Sequence, residues 1–279
     1  MRTFSAGSFD VDALVEAKRG RRISVCLPAR DEETTIGAIV TTIRRHLVSD
    51  RPLVDEVLVL DDGSADATAD IARAAGAGVR AVGDVLPELG PGRGKGEAMW
   101  KAVYEASGDI LVFCDADVRD FDPRFVIGLV GPLLLSDDIG FVKGFYDRPI
   151  EGRPGQGGRV TELVARPLLS LLFPALTGMV QPLAGECAGR REVLEQLPFV
   201  EAYGVDLGLV LDVVSHFGLA ALAQCDLGTR VHRNRTLEEL APQAAAVLQT
   251  ALGRAGVATH GDIAERPPWV TVPAYRKSA

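Results

Sequence analysis

The chain has 279 residues, of which 47% are hydrophobic and 24% are charged, and these ordinary globular values exclude disorder as its overall character. Its formal net charge of −8 argues against a nucleic-acid-binding protein, since such proteins normally present a basic face. The four cysteines stand far apart with no C-x-x-C motif, which favours a reduced, cytoplasmic protein over a disulfide framework or a zinc site.

The first predicted strand covers residues 21–29 and follows a polar leader, residues 1–20, that lacks the apolar core of a signal peptide. A helix opens just after this strand, and its apolar residues keep helical spacing up to Leu47. This order places Pro28, Ala29 and Glu32 at the carboxyl end of the strand. Acids at that junction can contact a ligand, or they can simply complement the dipole of the helix.

The second predicted strand, residues 55–60, ends in Asp61-Asp62-Gly63-Ser64, a turn with strong capping chemistry. An alanine-rich helix and a short third strand, residues 78–82, come next. This alternation predicts an α/β fold with a parallel, doubly wound sheet and right-handed crossovers. The acids that end the strands then share one edge of the sheet, where a nucleotide can present its ribose hydroxyls and base.

A glycine-rich loop, residues 90–96, carries Arg93 and Lys95 and leads into a helix. Two cations on such a loop, at a helix N-terminus, form a candidate phosphate cradle. The loop is neither of the two common nucleotide-binding motifs. Gly96 stands where a P-loop needs Ser or Thr, and the loop follows the third strand instead of the first.

The fourth predicted strand, residues 110–114, is a short apolar run typical of a central strand buried on both faces. Asp115 and Asp117 follow it, separated by Ala116, and alternate residues of a strand point to the same side. Ligands bind at this edge of open α/β sheets, and two hard oxygen ligands there suit Mg²⁺ or Mn²⁺, which can hold a diphosphate. The alternative is that Asp117 only caps the next helix.

The second half of the chain begins after a fifth strand, residues 139–146, with a loop rich in Gly and Pro, residues 148–158. The loop delivers Arg159 and Thr161 to a helix N-terminus, which is a second candidate anion site, although Arg159 is equally well explained as a solvated surface residue. Asp206, at the head of an apolar helix, either caps that helix or faces a site.

Three further features close the chain. His232 lies at a polar edge and can complete a metal site as a neutral imidazole, although a lone histidine is more often structural. The most apolar region, residues 167–188, is interrupted by proline and glycine, so we expect no membrane-spanning segment. The tail from residue 266 looks extended and can reach across to a partner subunit.

Taken together, these motifs resemble those of retaining, nucleotide-sugar-dependent glycosyltransferases of GT-A fold, and they are most similar to the glucosyl-3-phosphoglycerate synthase family. The resemblance covers residues 21–255. The motifs generic to GT-A enzymes are Leu27-Pro-Ala-x-x-Glu-Glu, Leu60-Asp-Asp-Gly-Ser, Gly92-x-Gly-Lys-Gly and Asp115-Ala-Asp117. The motifs specific to the family are Val142-Lys-Gly-Phe-Tyr, Gly157-Gly-Arg-Val-Thr-Glu-Leu, Gly204-Val-Asp-Leu-Gly and Arg230-Val-His-Arg-Asn.

The resemblance implies a Rossmann-like, mostly parallel GT-A sheet with a C-terminal acceptor-binding extension. It implies glucosyl transfer from UDP-glucose to the 2-hydroxyl of 3-phospho-D-glycerate, with Lys95 and Asp206 in the chemistry and a Mg²⁺ or Mn²⁺ cofactor on Asp117 and His232. The residues implied for the donor are Pro28, Ala29, Glu32, Asp62, Ser64, Lys95, Asp115 and Ala116. Those implied for the acceptor are Gly158, Arg159, Thr161 and Asn234. The family also implies a cytoplasmic homodimer.

The expected organisation is a leader (residues 1–20), a nucleotide-sugar-binding half (21–147), an acceptor-binding half (148–255) and a C-terminal tail (256–279). The chain departs from the family at four positions. Asp31, Cys187, Asp147 and Asp206 stand where Asn, Tyr, Arg and Glu are usual. These departures leave alternatives open: GDP-mannose as donor, a different acceptor, a sugar nucleotidyltransferase, or a non-catalytic GT-A-like binding module.

Overall fold

The structure is a computed structural model that describes residues 1–147, 158–230, 236–273 and 275. Its strands are β1 Arg2–Ser5, β2 Ile23–Ala29, β3 Glu56–Asp61, β4 Gly78–Ala81, β5 Ile110–Phe113, β6 Phe141–Asp147, β7 Cys187–Arg190, β8 Phe199–Val200, β9 Leu222–Thr229 and β10 Glu265–Arg266. Its α-helices are α1 Val11–Ala17, α2 Ile36–Ile43, α3 Thr68–Ala74, α4 Gly94–Glu105, α5 Arg124–Leu135, α6 Arg166–Leu172, α7 Arg191–Leu194, α8 Val205–Phe217 and α9 Leu237–Arg254. Two π-helical segments, Arg44–Ser49 and Thr161–Ala165, extend α2 and precede α6.

The main sheet has eight strands among the described residues, in the spatial order β1-β9-β6-β7-β5-β2-β3-β4. Its strands run parallel except β7, which pairs antiparallel with both β5 and β6. The predicted α/β fold with a mostly parallel sheet is therefore confirmed. The strand β7 was not predicted. It has only four residues, two of them are small (Ala188 and Gly189), and they show no alternation of apolar and polar residues that would indicate a strand.

The sheet is covered by helices on both faces, as the short apolar strands predict. Val25 and Leu27 of β2 join the hydrophobic cluster beneath α2 and α5, whereas Cys26 points into the opposite cluster with α4 and α8. The same alternation divides β5, whose four residues are all fully buried. A strand buried on both faces places its free carboxyl end at the edge of the sheet, and this is where the site lies.

Residues 1–20 differ from the predicted polar leader, because they contain a strand and a helix of the domain. β1 pairs in parallel with β9 and forms the edge of the main sheet. Asp10 caps α1 by accepting a hydrogen bond from the amide of Ala13 at 2.9 Å, and Leu14 on that helix is buried. A polar edge strand with one buried helix residue leaves little periodic signal in the sequence.

The C-terminal tail folds back onto its own chain instead of extending away to a partner subunit. β10 pairs antiparallel with β8, and the fully buried Trp269 stacks on Trp100 of α4 with 3.8 Å between ring centroids. Trp269 also donates its indole N–H to the carbonyl of Trp100 at 2.9 Å. No helix of the described residues is long and apolar enough to cross a membrane, as the sequence predicts.

Candidate functional site

A cavity of about 410 Å³ opens at the edge of the sheet where the carboxyl ends of β2, β3, β5 and β9 meet. Side chains and backbone from both halves of the chain line it. Of the predicted site residues, those that line the cavity are Pro28, Ala29, Glu32, Asp62, Lys95, Asp115, Ala116, Asp117, Gly158, Arg159, Thr161 and Asp206. Residues that are more than a hundred positions apart in the sequence therefore meet at one edge of the sheet, because the carboxyl ends of parallel strands lie side by side there.

Asp115 is held between two cations. Lys95 Nζ donates to its Oδ1 at 2.8 Å, and Arg230 Nη1 donates to its Oδ2 at 3.0 Å. Burial by itself would raise the pKa of Asp115, but Lys95 and Arg230 hold it well below the usual range for an aspartate. Asp115 therefore stays ionised, and the pKa of Lys95, which burial alone would lower, is raised well above its ordinary value by Asp115 and Asp206.

Arg230 is a central residue of the site that the sequence reasoning did not assign. Its guanidinium contacts Asp117 Oδ1 at 2.6 Å, Glu186 Oε1 at 2.8 Å and the hydroxyl of Tyr146 at 2.6 Å, in addition to Asp115. Burial would lower its pKa, but Glu186 first, and then its other partners, raise it well above the ordinary value. Its position in the sequence could have indicated a role in the site, because Arg230 follows directly after β9 and is the first residue of a family motif.

Asp206 faces the cavity, which decides between the two roles that the sequence left open. Its carboxylate lies 3.3 Å from Lys95 Nζ and 3.0 Å from Nζ of Lys143, a lysine with only 1% of its side chain exposed. Lys143 also donates to the backbone carbonyl of Asp206 at 3.2 Å. Lys143 was missed by the sequence reasoning, although a lysine inside the apolar run of β6 is itself a signal of a buried partner.

The centre of the site combines three cations, Lys95, Lys143 and Arg230, with four carboxylates, Asp115, Asp117, Glu186 and Asp206. Glu32 and Asp62 add further acids to the cavity wall. Burial first, and then the charge of Asp117, raise the pKa of Glu32 to about 7. Because these carboxylates make the cavity wall acidic, an anionic ligand such as a diphosphate needs a cation in order to bind there.

Among the carboxylates that line the cavity, Asp117 has the side chain that is most open to a divalent cation of those in its ion-pair cluster. It does not cap the next helix, since α5 begins seven residues later with Pro123 as its N-cap. Arg230 engages its Oδ1, yet 37% of the side chain remains exposed, so a carboxylate oxygen is accessible to Mg²⁺ or Mn²⁺. No three His, Cys, Asp or Glu side chains converge as a metal site within the described part of the chain, and the predicted ligand His232 lies outside it.

Three of the acceptor residues predicted from the sequence line the same cavity. Gly158, Arg159 and Thr161 line it at the start of the helical segment that continues into α6, and Thr161 is buried. Asn234 lies outside the described residues. Ser64 does not line the cavity: its hydroxyl accepts a hydrogen bond from the amide of Asp31 at 3.0 Å and so ties two edge loops together.

Part of the cavity lining comes from α9, which the sequence reasoning did not assign to the site. Leu240, Gln243 and Val247 of this helix line the cavity, together with Tyr203 and Leu183 from the second half of the chain. Leu183, Leu240 and Val247 thus give the acidic cavity an apolar part of its lining.

Comparison with known proteins gives the same relatives by sequence and by structure. The model for glycosyl transferase family 2 matches residues 24–197. Glucosyl-3-phosphoglycerate synthase of Petrotoga mobilis is 41% identical over 99% of this chain and 95% of its own length, and that of Mycolicibacterium smegmatis is 48% identical over 91% and 84%. The Mycobacterium tuberculosis enzyme of that name, solved in complex with Mn²⁺, UDP-glucose and phosphoglyceric acid, matches with a TM-score of 0.89 and 43% identity over 97% of this chain and 98% of its own. Its complex with Mg²⁺ and UDP matches with a TM-score of 0.88 and 44% identity over 96% and 97%.

Proposed function

The chain belongs to glycosyl transferase family 2 and to the glucosyl-3-phosphoglycerate synthase family, and on this basis we propose that it transfers glucose from UDP-glucose to 3-phosphoglycerate with a divalent cation as cofactor. The GT-A fold expected from the sequence is confirmed. The observation that carries the proposal is the single cavity that joins the Asp115–Lys95 pair and Asp117 to Arg159 and Thr161. In this proposal the cavity brings the diphosphate site and the anion site of the acceptor together.

We infer that residues 21–147 supply most of the donor site and residues 148–255 most of the acceptor site, although both belong to one sheet. Pro28, Ala29, Glu32 and Asp62 would surround the uridine, at the ends of β2 and β3. Lys95 and Arg230 would face the diphosphate as donors of charge-assisted hydrogen bonds. Asp117 and His232 would hold a divalent cation, which would supply Lewis-acid neutralisation of the leaving diphosphate.

We propose that Arg159 and Thr161 bind the anionic end of the acceptor, because a guanidinium and a hydroxyl at a helix N-terminus suit a phosphate or carboxylate. The 2-hydroxyl of the acceptor would then attack the anomeric carbon from the face of the leaving group. The new carbon–oxygen bond forms as the bond to the β-phosphate breaks, and that phosphate oxygen takes the hydroxyl proton. Configuration is thereby retained. Asp206, paired with Lys95 and Lys143, orients the sugar in this scheme and forms no covalent bond.

The deciding experiment measures release of the nucleoside diphosphate by the purified chain. UDP-glucose and GDP-mannose are each supplied with and without 3-phosphoglycerate, and with Mg²⁺ or EDTA. We expect UDP release that requires both 3-phosphoglycerate and the metal. Turnover with GDP-mannose but not with UDP-glucose, or release of the nucleoside diphosphate that does not depend on 3-phosphoglycerate, would contradict the proposed substrates. The anomeric configuration of the product tests whether configuration is retained.

Replacing Arg159 by alanine tests the acceptor assignment. Loss of a charge-assisted hydrogen bond to an anion should raise the KM for 3-phosphoglycerate by about 10- to 100-fold, while the KM for UDP-glucose stays within about twofold. Arg166→Ala is the matched control on the same helical segment, since Arg166 is exposed and pairs with Glu162 at 3.2 Å. An equal loss of donor and acceptor affinity in Arg159→Ala would contradict the assignment.

A cytoplasmic homodimer completes the proposal. Leu163 and Leu171, on the helical segment that follows the acceptor residues, are 75% and 80% exposed and provide an apolar surface for a second copy. The four unpaired cysteines and the metabolites involved fit the reducing cytoplasm. Light scattering on the purified chain and cell fractionation test these two statements, and a monomer at micromolar concentration would contradict the first.

A further inference from the structure

We propose that Arg266, in the C-terminal segment, is a positioning residue for the donor diphosphate because it fixes the glycine loop that presents Lys95. The C-terminal segment is defined here as residues 265–273, and the glycine loop as residues 90–96. The inference rests on the proposed function, since it assigns to Lys95 the role of a diphosphate ligand. Arg266 does not line the cavity, so it acts through the loop and not on the substrate.

The guanidinium of Arg266 contacts the chain on both sides of the glycine loop. On the entry side, Nη1 donates to the carbonyl of Leu89 at 2.9 Å and Nη2 donates to the carbonyl of Gly90 at 2.8 Å. On the exit side, Nε and Nη2 donate to the two carboxylate oxygens of Glu97 at 2.6 and 2.9 Å. One rigid, planar group therefore fixes the distance between the two ends of the loop.

This ion pair is shielded from water. Glu97 is fully buried and also pairs with Lys101 at 3.0 Å, while the side chain of Arg266 is 13% exposed and lies 5.2 Å above the ring of Trp100. Bidentate contacts at such a site are stronger and geometrically more specific than those of an exposed pair. The Arg266–Glu97 pair can therefore hold a loop in place, which an exposed salt bridge cannot.

The glycines of the loop fit this packing. A Cβ at position 92 would lie 2.2 Å from the Glu97 carboxylate and 2.9 Å from Arg266 Nη2, so Gly92 passes directly over the ion pair. A Cβ at position 96 would lie 1.9 Å from the carbonyl oxygen of Val200, in the strand that pairs with β10. Both glycines thus allow the loop to sit against the C-terminal segment and its neighbour β8.

The loop ends in the site. Lys95 lies in the first turn of α4, two residues before Glu97, and its Nζ is 2.8 Å from Asp115 and 3.3 Å from Asp206. The C-terminal segment has its own anchor on the same helix, since Trp269 stacks on Trp100, and Trp100 donates its indole N–H to the carbonyl of Pro267 at 2.8 Å. Loss of the Arg266 side chain should therefore release the loop while the segment stays docked.

The test compares Arg266→Ala and Arg266→Lys with a control, Arg254→Ala. Arg254 pairs with Glu265, the neighbour of Arg266, at 2.6 Å and with Asp212 at 2.7 Å, but it contacts no residue of the loop. In Arg266→Ala we expect the KM for UDP-glucose and the Kd for UDP with Mn²⁺ to rise about tenfold, with the KM for 3-phosphoglycerate within about twofold. The KM and Kd of Arg266→Lys should lie between those of Arg266→Ala and the wild type. Arg254→Ala costs stability because it leaves the buried Asp212 without its partner, but its KM and Kd for the donor should equal those of the wild type.

Hydrogen exchange of the unliganded variants gives a readout that does not depend on substrate. Exchange of the amides in residues 89–96 should accelerate in Arg266→Ala and not in Arg254→Ala. Unchanged donor affinity, or equal effects of the two alanine variants, would overturn the inference. If Arg266→Ala does not fold, Arg266→Lys decides, and wild-type donor affinity in that variant would also overturn it. A wild-type chain that fails to bind UDP-glucose would instead refute the proposed function.

Discussion

Replacing Arg230 by methionine should lower the free energy of unfolding by about 3–5 kcal/mol, because it leaves a buried carboxylate without a cation. Most of this loss of stability comes from one of the three carboxylates that pair with Arg230. Asp115 keeps Lys95 at 2.8 Å, and Asp117 is 37% exposed and can be hydrated, but Glu186 is fully buried. Methionine retains most of the apolar length of the arginine, so little packing is lost.

The measurement is urea unfolding followed by the fluorescence of the buried Trp100 and Trp269, in EDTA so that no metal contributes. Adding Glu186→Gln to the methionine variant removes the unpaired charge and should recover about 2 kcal/mol or more, as a positive coupling in a double-mutant cycle. Arg166→Met is the control, because Arg166 and Glu162 are 47% and 51% exposed and their pair should contribute less than about 1 kcal/mol.

Two results would refute this reasoning about Arg230. The first is a methionine variant that unfolds within about 1 kcal/mol of the wild type, which would mean that water or backbone movement solvates Glu186. The second is a double variant with Glu186→Gln that is no more stable than Arg230→Met alone. In that case the cost would come from packing or from Asp117, and not from the buried charge.

Three further predictions concern the metal, pH and the thiols. Asp117→Asn should raise the Mn²⁺ concentration needed for UDP binding by at least about tenfold, with the exposed Asp138→Asn as control, and an unchanged titration would exclude Asp117 as a ligand. The pKa of Glu32 is raised to about 7 from its ordinary 4.5, so the folded state retains a proton that the unfolded chain loses, and stability falls as pH rises through that window. The Tm of the wild type should therefore fall between pH 5 and 8. This fall should be absent in Glu32→Gln and present in the control Glu33→Gln. All four cysteines are buried, and burial raises the pKa of each thiol, to about 11 for Cys187, so Ellman's reagent should react with them only after denaturation; reaction of the native protein would contradict their burial.

The local sequence determined the layout of the site to a large extent. Short apolar runs that end in acids identify the buried strands β2, β3 and β5, and the alternation with helices makes them parallel. Once the strands are parallel, their carboxyl ends must meet at one edge. For this reason the sequence predicts that Glu32, Asp62, Asp115 and Asp117 share a site, and all four line the cavity.

Only the tertiary structure decided which of these groups contact each other. Arg230 meets Asp115, Tyr146 and Glu186 because the C-terminal ends of β9 and β6 lie near the start of the antiparallel β7, and β7 is a strand only because β5 and β6 flank it. The edge strand β1 and the docked C-terminal segment depend in the same way on distant partners. Periodicity in a sequence reports how one segment is buried, whereas pairing and charge compensation depend on which distant segments the fold brings together.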